Sequence, residues 1–207
     1  MLQSLLADIQ ALGWLDWLIT ATALVYVVLA ARENPWCWAW GGVSCGLWGY
    51  VSFTRYDLWL DALLQVYYVG MSGYGLYQWV YSAADRSPRA VVRWPLKRHL
   101  GLFAVGIPLS LLFGYLFGAY TPAAATYLDA FTTVFAVLTT YLVARKVLEN
   151  WYYWIAIDLA LCYLYASRGA WLFALLMVVY IGIAAWGLAR WRKAVPGAAV
   201  LPTRAGS

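Results

Sequence analysis

Long apolar runs, separated by short polar stretches, set the pattern of this chain. Seven runs can be delimited, at residues 16–31, 36–53, 58–81, 99–118, 128–144, 151–166 and 171–191. Each approaches the roughly 20 residues that an α-helix needs to cross the hydrocarbon core of a bilayer. The pattern therefore predicts an all-α integral membrane protein with seven transmembrane helices.

Composition supports the same class. Of the 207 residues, 65% are hydrophobic and only 11% are charged, whereas a soluble domain has roughly 25% charged residues. No lysine or arginine precedes the first run, so it lacks the basic region of a signal peptide and is expected to be retained. The composition therefore indicates a multi-pass membrane protein.

The basic residues predict the orientation of the helices. Across seven spans, Arg55 and Arg168 fall on one side of the membrane. The other 12 basic residues fall on the opposite side: Arg32, Arg86, Arg89, Arg93, Lys97, Arg98, Arg145, Lys146, Arg190, Arg192, Lys193 and Arg204. Since basic loops stay in the cytoplasm, the N-terminus is predicted outside and the C-terminus inside. The basic connection at 82–98 should then lie near anionic lipid headgroups rather than bind nucleic acid.

Two halves of the chain resemble each other. Residues 59–70 align with residues 171–182 at a spacing of 112, and residues 33–38 align with residues 149–154 at a spacing of 116. An aligned order of this kind predicts a duplicated three-helix unit. Because one odd helix separates the copies, both should have the same orientation in the membrane, and substrates often bind between such parallel repeats.

The repeats define the expected domain organisation. A single transport domain covers residues 1–193, with repeat one at 14–81, a linker helix at 99–118 and repeat two at 127–193. Residues 194–207 are expected to form a disordered cytoplasmic tail. This 3+1+3 arrangement is that of the SWEET-like fold, by analogy of repeat pattern alone.

Three motifs together resemble the PnuC family of bacterial vitamin transporters. They are the Asn-Pro-Trp-Cys-Trp sequence at 34–38, the Gln- and Tyr-rich sequence at 64–79, and the sequence at 144–158. The resemblance covers about residues 14–193 and implies a multi-pass protein of the bacterial inner membrane. It implies uptake of nicotinamide riboside by facilitated diffusion, with capture through phosphorylation by a separate cytoplasmic kinase. It also implies a SWEET-like protomer and a homotrimer; similar proteins are associated with thiamine or riboflavin.

The third apolar run carries a polar face. Asp61, Gln65, Tyr68 and Ser72 fall at i, i+4, i+7 and i+11, on one side of a helix. Because lipid cannot satisfy a glutamine side chain, this face should point into the bundle. It can contact substrate, or it can join helices by hydrogen bonds. Tyr180 is the counterpart of Tyr68 in the second repeat and should face the same space.

The sixth run carries a second polar stripe, formed by Asn150, Trp154 and Asp158 at i, i+4 and i+8. An ionisable residue near the middle of a membrane helix usually faces a partner or a cavity. An indole face attracts an organic cation, and amide and carboxylate groups bind carboxamide and hydroxyl groups. These groups suit nicotinamide riboside and, nearly as well, thiamine. Asp158 can instead be a structural partner of a Tyr or Trp donor; at the spacing of 116 its counterpart is Gly42.

Four further side chains are candidates for a gate or for secondary contacts: Asn34, Trp38, Asp61 and Thr132. Asn34, like Asn150, begins a helix, and can act as a gate or as a cap for free amides. Thr132 belongs to a mildly polar side of the fifth helix that can serve helix packing instead of ligand contact.

Missing motifs narrow the function. The chain has no phosphate-binding loop sequence for ATP hydrolysis and only one histidine, His99, so we expect no catalytic residue, metal or cofactor. No cation lies in the middle of a helix, which disfavours a phosphorylated substrate such as the mononucleotide. Three hypotheses are weaker: an intramembrane lipid-modifying enzyme, a scaffold without a ligand, and proton coupling through Asp61 and Asp158.

Overall fold

The helices begin and end close to the limits of the apolar runs. A computed structural model describes residues 9, 12–55, 58–81, 89–120 and 126–195, and within them the chain forms seven α-helices. They are α1 (Trp14–Ala31), α2 (Cys37–Thr54), α3 (Trp59–Val80), α4 (Leu96–Tyr120), α5 (Thr126–Ala144), α6 (Asn150–Ser167) and α7 (Trp171–Ala194). The all-α class predicted from the sequence is confirmed. Apart from its first two residues, the expected tail at 194–207 lies outside the described residues.

Four of these helices, α1, α4, α5 and α7, are long and apolar enough to cross a membrane by length and composition. The other three, α2, α3 and α6, have lengths of 18, 22 and 18 residues and lower hydropathy. They carry the polar residues Ser44, Gln65 and Asp158, all of which are buried between helices. These buried polar side chains lower the hydropathy of their helices and face the protein interior and not the lipid.

Six of the helices form a ring. Each packs against its neighbours in the order α1, α2, α3, α5, α6, α7, and α7 contacts α1 to close the circle. This order places α1 across the ring from α5, α2 across from α6, and α3 across from α7. The triplet α1–α3 and the triplet α5–α7 meet at two seams, one between α3 and α5 and the other between α1 and α7.

Helix α4 stands outside the ring and packs against α5. Its contact face is a stripe of small residues, Gly106, Ser110 and Gly114, at i, i+4 and i+8. A Cβ atom on Gly114 would lie 2.4 Å from Cδ1 of Tyr127, and one on Gly106 would lie 2.8 Å from Cζ of Phe135. Small residues on α4 thus let two aromatic rings of α5 approach its backbone, as is common in membrane helix pairs.

Most of the described basic side chains gather at one end of the bundle, called the basic end below. It holds Arg32, Arg89, Arg93, Lys97, Arg98, Arg145, Lys146, Arg190, Arg192 and Lys193. Arg86 and Arg204 of the predicted set lie outside the described residues. The segment before α4 is fixed here, since Val92 N donates to Lys146 O at 2.9 Å and Leu148 N donates to Val92 O at 2.8 Å.

Helices α1 and α5 end in the same turn at the basic end. Glu33 has φ +57° and Lys146 has φ +50°, and their numbers differ by 113. The backbone N–H of the next residue donates to a carbonyl in the last turn of the helix: Asn34 N to Leu29 O, and Val147 N to Leu142 O, both at 2.9 Å. This is the bond pattern of a Schellman helix end, whose left-handed position is usually occupied by glycine. The two triplets therefore share a local geometry at a spacing of 113.

Candidate substrate cavity

A cavity of about 320 Å³ lies inside the ring of six helices. All six helices contribute to its wall, and none of its described wall residues comes from α4. The cavity extends from the middle of the bundle towards the basic end, because its wall includes Ala30 and Val143 near the ends of α1 and α5 and Trp38 near the start of α2.

Two polar side chains on the cavity wall are left without protein partners. Asp158 on α6 is 6% exposed and Gln65 on α3 is 8% exposed. Within the described part of the chain, neither forms a hydrogen bond or an ion pair, and no lysine or arginine lines the wall. By contrast, Ser72 on the same wall donates its hydroxyl to the carbonyl of Tyr68 at 2.9 Å. A buried carboxylate and a buried amide without partners are expensive unless a ligand or water satisfies them.

Aromatic rings supply most of the remaining polar atoms on the wall. Tyr26, Tyr68, Trp154 and Tyr180 all line the cavity, from α1, α3, α6 and α7 respectively. Tyr26 lies close to α2, where a Cβ atom on Gly41 would come within 2.9 Å of its Cδ2 atom. Flat rings combined with a carboxylate suit a flat organic cation, which gains attraction from both.

Two tryptophans line the basic end of the cavity and are called the cavity floor below. Trp38 and Trp151 are 2% and 1% exposed, and neither indole N–H has a hydrogen-bond partner among the described residues. Each indole lies on a glycine: a Cβ atom on Gly75 would approach Trp38 to 2.2 Å, and one on Gly187 would approach Trp151 to 2.7 Å. These contacts pair Trp38 with Trp151, at a spacing of 113. The predicted pairing of Trp38 with Trp154 at a spacing of 116 was wrong, because α2 begins at Cys37 and α6 begins at Asn150, 113 residues later.

A second pair of tryptophans supports the floor from below. The rings of Trp79 and Trp191 lie 5.7 and 5.4 Å from their floor rings, each at an interplanar angle of 88°. The Nε1 atom of Trp79 donates to Val143 O and that of Trp191 donates to Ala30 O, both at 3.1 Å. Each of these two bonds crosses a seam, from the third helix of one triplet to the first helix of the other.

The corrected register changes the counterpart of the buried carboxylate. At a spacing of 113, Asp158 corresponds to Cys45 and Trp154 corresponds to Gly41, and all four line the cavity. Because α2 lies across the ring from α6, a thiol faces the wall that carries the carboxylate. Gly42, the counterpart expected at 116, lies instead against Ser72, with 3.4 Å between an added Cβ and the Ser72 Cβ.

The cavity wall includes seven of the residues singled out in the sequence: Trp38, Gln65, Tyr68, Ser72, Trp154, Asp158 and Tyr180. The other four lie away from it. Asn150 is fully buried at the first position of α6, where its side-chain amide donates to Val147 O at 2.7 Å. Asn34 accepts a bond from Trp36 N at 3.0 Å, and Asp61 accepts one from a serine of α2 at 2.6 Å. Thr132 donates to carbonyls of its own helix.

Sequence reasoning missed Tyr26, Gly41 and Cys45 as wall residues. The sequence did contain a signal for Cys45. Residues 15–16 match residues 128–129 at a spacing of 113, and the same spacing relates Cys45 to Asp158. No such signal exists for Tyr26, because it reaches the cavity beside a glycine of a neighbouring helix.

A ring of membrane helices around a buried cavity with unpartnered polar groups is the construction of a small-molecule transporter. The sequence model of the nicotinamide mononucleotide transporter family matches residues 13–193, and the chain belongs to that family. It is therefore a transporter and not an enzyme, and a multi-pass protein of the bacterial inner membrane.

Two curated relatives have the same degree of similarity. The nicotinamide riboside transporter PnuC of Escherichia coli (strain K12) is 23% identical over 205 residues, which cover 87% of this chain and 85% of that protein. The same values hold for the nicotinamide riboside transporter PnuC of Shigella flexneri. The crystal structure of the vitamin B3 transporter PnuC superposes with a TM-score of 0.70 at 21% identity, and covers 94% of this chain and 89% of that one. This last likeness shows that the fold is shared.

Proposed function

We propose that this transporter carries nicotinamide riboside into the cell by facilitated diffusion. The observation that carries the proposal is the charge of the cavity: its described wall holds the carboxylate of Asp158 and no cation. The riboside is a pyridinium cation, whereas the mononucleotide adds a phosphate that would need Arg or Lys partners. The family takes its name from the mononucleotide, but the relatives named above are riboside transporters, and the cavity favours the riboside.

The wall residues have separate roles in this proposal. Trp154 and Asp158 lie one turn apart on α6, so the ring and the carboxylate can bind the pyridinium together. Gln65, across the seam on α3, offers a free amide to the ribose hydroxyls or to the carboxamide. Tyr68 and Tyr180 line the cavity from opposite sides of the ring and complete the aromatic wall. The four candidates that lie off the wall act on closure or folding and not as ligand contacts.

The transport cycle follows from the distribution of charge. The basic end faces the cytoplasm under the positive-inside rule, so the N-terminus is outside and the two triplets are parallel repeats. The sequence has no phosphate-binding loop motif for ATP hydrolysis, and net uptake comes from phosphorylation of the riboside by a separate kinase. The product then carries a phosphate that the cavity does not accept. Assembly into a homotrimer through surfaces outside the ring is part of the same proposal.

Ligand-dependent thermal stability tests the substrate. A ligand that binds only the folded state raises stability by RT ln(1 + [L]/Kd). Purified protein should be stabilised by nicotinamide riboside and not by its mononucleotide at equal concentration. Thiamine and riboflavin complete the panel, since thiamine is also a flat cation with a hydroxyl group. A larger shift with thiamine would assign the thiamine branch of the family, and no shift with any of the four would overturn the proposal.

A further inference from the structure

An ion pair joins the two triplets at equivalent positions. Lys146 Nζ lies 3.0 Å from Glu33 Oε2, and these are the two residues, 113 apart, that hold the left-handed position of the matched turns. Their side chains are 5% and 24% exposed, respectively. A residue other than glycine pays a conformational penalty at positive φ, so both turns keep charged residues where glycine would fit more easily. Because α1 lies across the ring from α5, these opposite charges at equivalent positions meet across the ring.

The ion pair is connected to the cavity floor by aromatic contacts. Lys146 Nζ lies 4.7 Å from the ring centroid of Trp79, a distance at which a cation is attracted to an indole face. Trp79 in turn contacts the floor ring of Trp38 and hydrogen-bonds Val143 O. A continuous set of contacts therefore runs from the Glu33–Lys146 pair to the cavity floor.

The same contacts close both seams at the basic end. The indole bonds of Trp79 and Trp191 each connect the triplets, and their two rings lie 5.9 Å apart. At the other end, Ser52 bonds Asp61 within the first triplet, and an arginine after α6 pairs with an aspartate of α5 within the second. The triplets cannot separate at the basic end while the ion pair and the indole bonds are intact.

We propose that Glu33 and Lys146 are positioning residues of the transport cycle: their ion pair holds the basic end of the cavity closed, and it must break before a ligand can leave there. This rests on the proposed transport function, because a protein that only stores a ligand needs no such opening. Neither residue touches the cavity. They act through Trp79, so their loss should change the rate of translocation and leave the affinity for ligand unchanged.

Cys45 provides a reporter within the chain. It lines the cavity, and the other two cysteines, Cys37 and Cys162, can be replaced by alanine. In inside-out membrane vesicles, a membrane-impermeant methanethiosulfonate reaches Cys45 only when the basic end opens. Glu33→Gln should raise the labelling rate at least about tenfold, because an unpaired buried lysine disfavours the closed state. An unchanged labelling rate would overturn the proposal.

Exchanging the two charges provides the sharper test. Because the two turns are equivalent, the double variant Glu33→Lys with Lys146→Glu can form the same pair in reverse, with the introduced lysine over Trp191. It should restore the slow labelling of the parent. A folded double variant that still labels as fast as Glu33→Gln would refute the role of the pair.

A further variant separates closure from folding. Glu33→Gln with Lys146→Met leaves no buried unpaired charge and should fold as well as the parent, so fast labelling in this variant must come from loss of the ion pair. Slow labelling in this variant would refute the proposal.

Binding and uptake provide an independent readout. Where riboside binding is detected, its Kd should equal that of the parent while the uptake rate changes. Labelling needs no vitamin, so it can succeed even if the proposed substrate is wrong.

Discussion

Replacing Asp158 by asparagine tests whether the cavity selects its ligand by charge. The carboxylate is 6% exposed and has no hydrogen bond or ion pair within the described part of the chain. Asparagine has nearly the same shape and keeps one acceptor oxygen, so the substitution removes the charge and little else. It also leaves Cys45, on the facing wall, undisturbed. Any loss of affinity should then measure the attraction between the carboxylate and the ligand cation.

The size of the effect can be estimated from Coulomb's law. Two unit charges about 5 Å apart attract by about 3 kcal/mol at an effective dielectric constant of about 20. Part of this attraction is offset by removing the ligand charge from water. We expect Asp158→Asn to weaken binding of nicotinamide riboside by about 2 kcal/mol, a factor of about thirty in Kd. The unfolding temperature of the protein without ligand should not fall, because the variant removes an unpaired buried charge.

Titration calorimetry with two ligands provides the measurement. Nicotinamide riboside is compared with an uncharged analogue in which carbon replaces the positive ring nitrogen. The parent should favour the cation, and Asp158→Asn should bind both ligands about equally. Cys45→Ser, on the facing wall, is the matched control and should preserve the preference. If Asp158→Asn weakened both ligands by the same factor, the carboxylate would act as a hydrogen-bond acceptor and the charge argument would be wrong.

Two further substitutions test the floor and the polar wall. Gly75→Ala places a Cβ atom 2.2 Å from the buried ring of Trp38 and should lower the free energy of unfolding by about 1–3 kcal/mol. Gly73→Ala on the same helix is the control, because its added Cβ has no atom within 4 Å. Equal unfolding temperatures for the two variants would contradict the packing. Gln65→Leu should weaken riboside binding about tenfold through one lost hydrogen bond. Ser72→Ala should have a smaller effect, because the Ser72 hydroxyl already bonds its own helix. A larger loss of affinity for Ser72→Ala than for Gln65→Leu in calorimetry would refute the role of the amide.

Hydropathy predicted the number of helices because each span must be apolar over nearly its whole length. The ends were less predictable. Helix α4 begins at Leu96, before the predicted start at residue 99, because Lys97 and Arg98 can keep their charges in the headgroup region while their backbone stays helical. Polar residues within a span likewise mark the interior, and this is why Gln65 and Asp158 could be placed on a cavity wall from the sequence.

Residue identity gives conflicting registers for the repeat, with a spacing of 113 at residues 15–16 and of 116 at residues 33–38. Glu33 and Glu149 look equivalent in sequence, but in the structure Glu33 corresponds to Lys146, a residue of opposite charge. Equivalence here is a property of the backbone, since both residues adopt positive φ without being glycine. A comparison of side chains therefore overlooks it. The ion pair across the ring, and the contacts it makes with the indole rings, follow only once the turns are known.

Equivalent positions divide into two groups with different consequences. Those that shape the basic end repeat closely: the same helix-ending turn, the same indole over glycine, and the same indole bond across a seam. Those that face the cavity differ, with Gly41 against Trp154, Cys45 against Asp158, and Gln65 against Met177.

A repeated framework lets the two triplets separate and close again by similar motions, as transport through a central site requires. A wall that differs between the triplets allows a ligand with one charge and one polar end to bind in a single orientation. Substitutions in the repeated group should therefore alter transport rates, and substitutions in the differing group should alter affinity and selectivity. The Glu33–Lys146 pair belongs to the first group although its charges differ between the repeats, because neither residue lines the cavity. Its loss should therefore change the transport rate and leave the affinity for ligand unchanged.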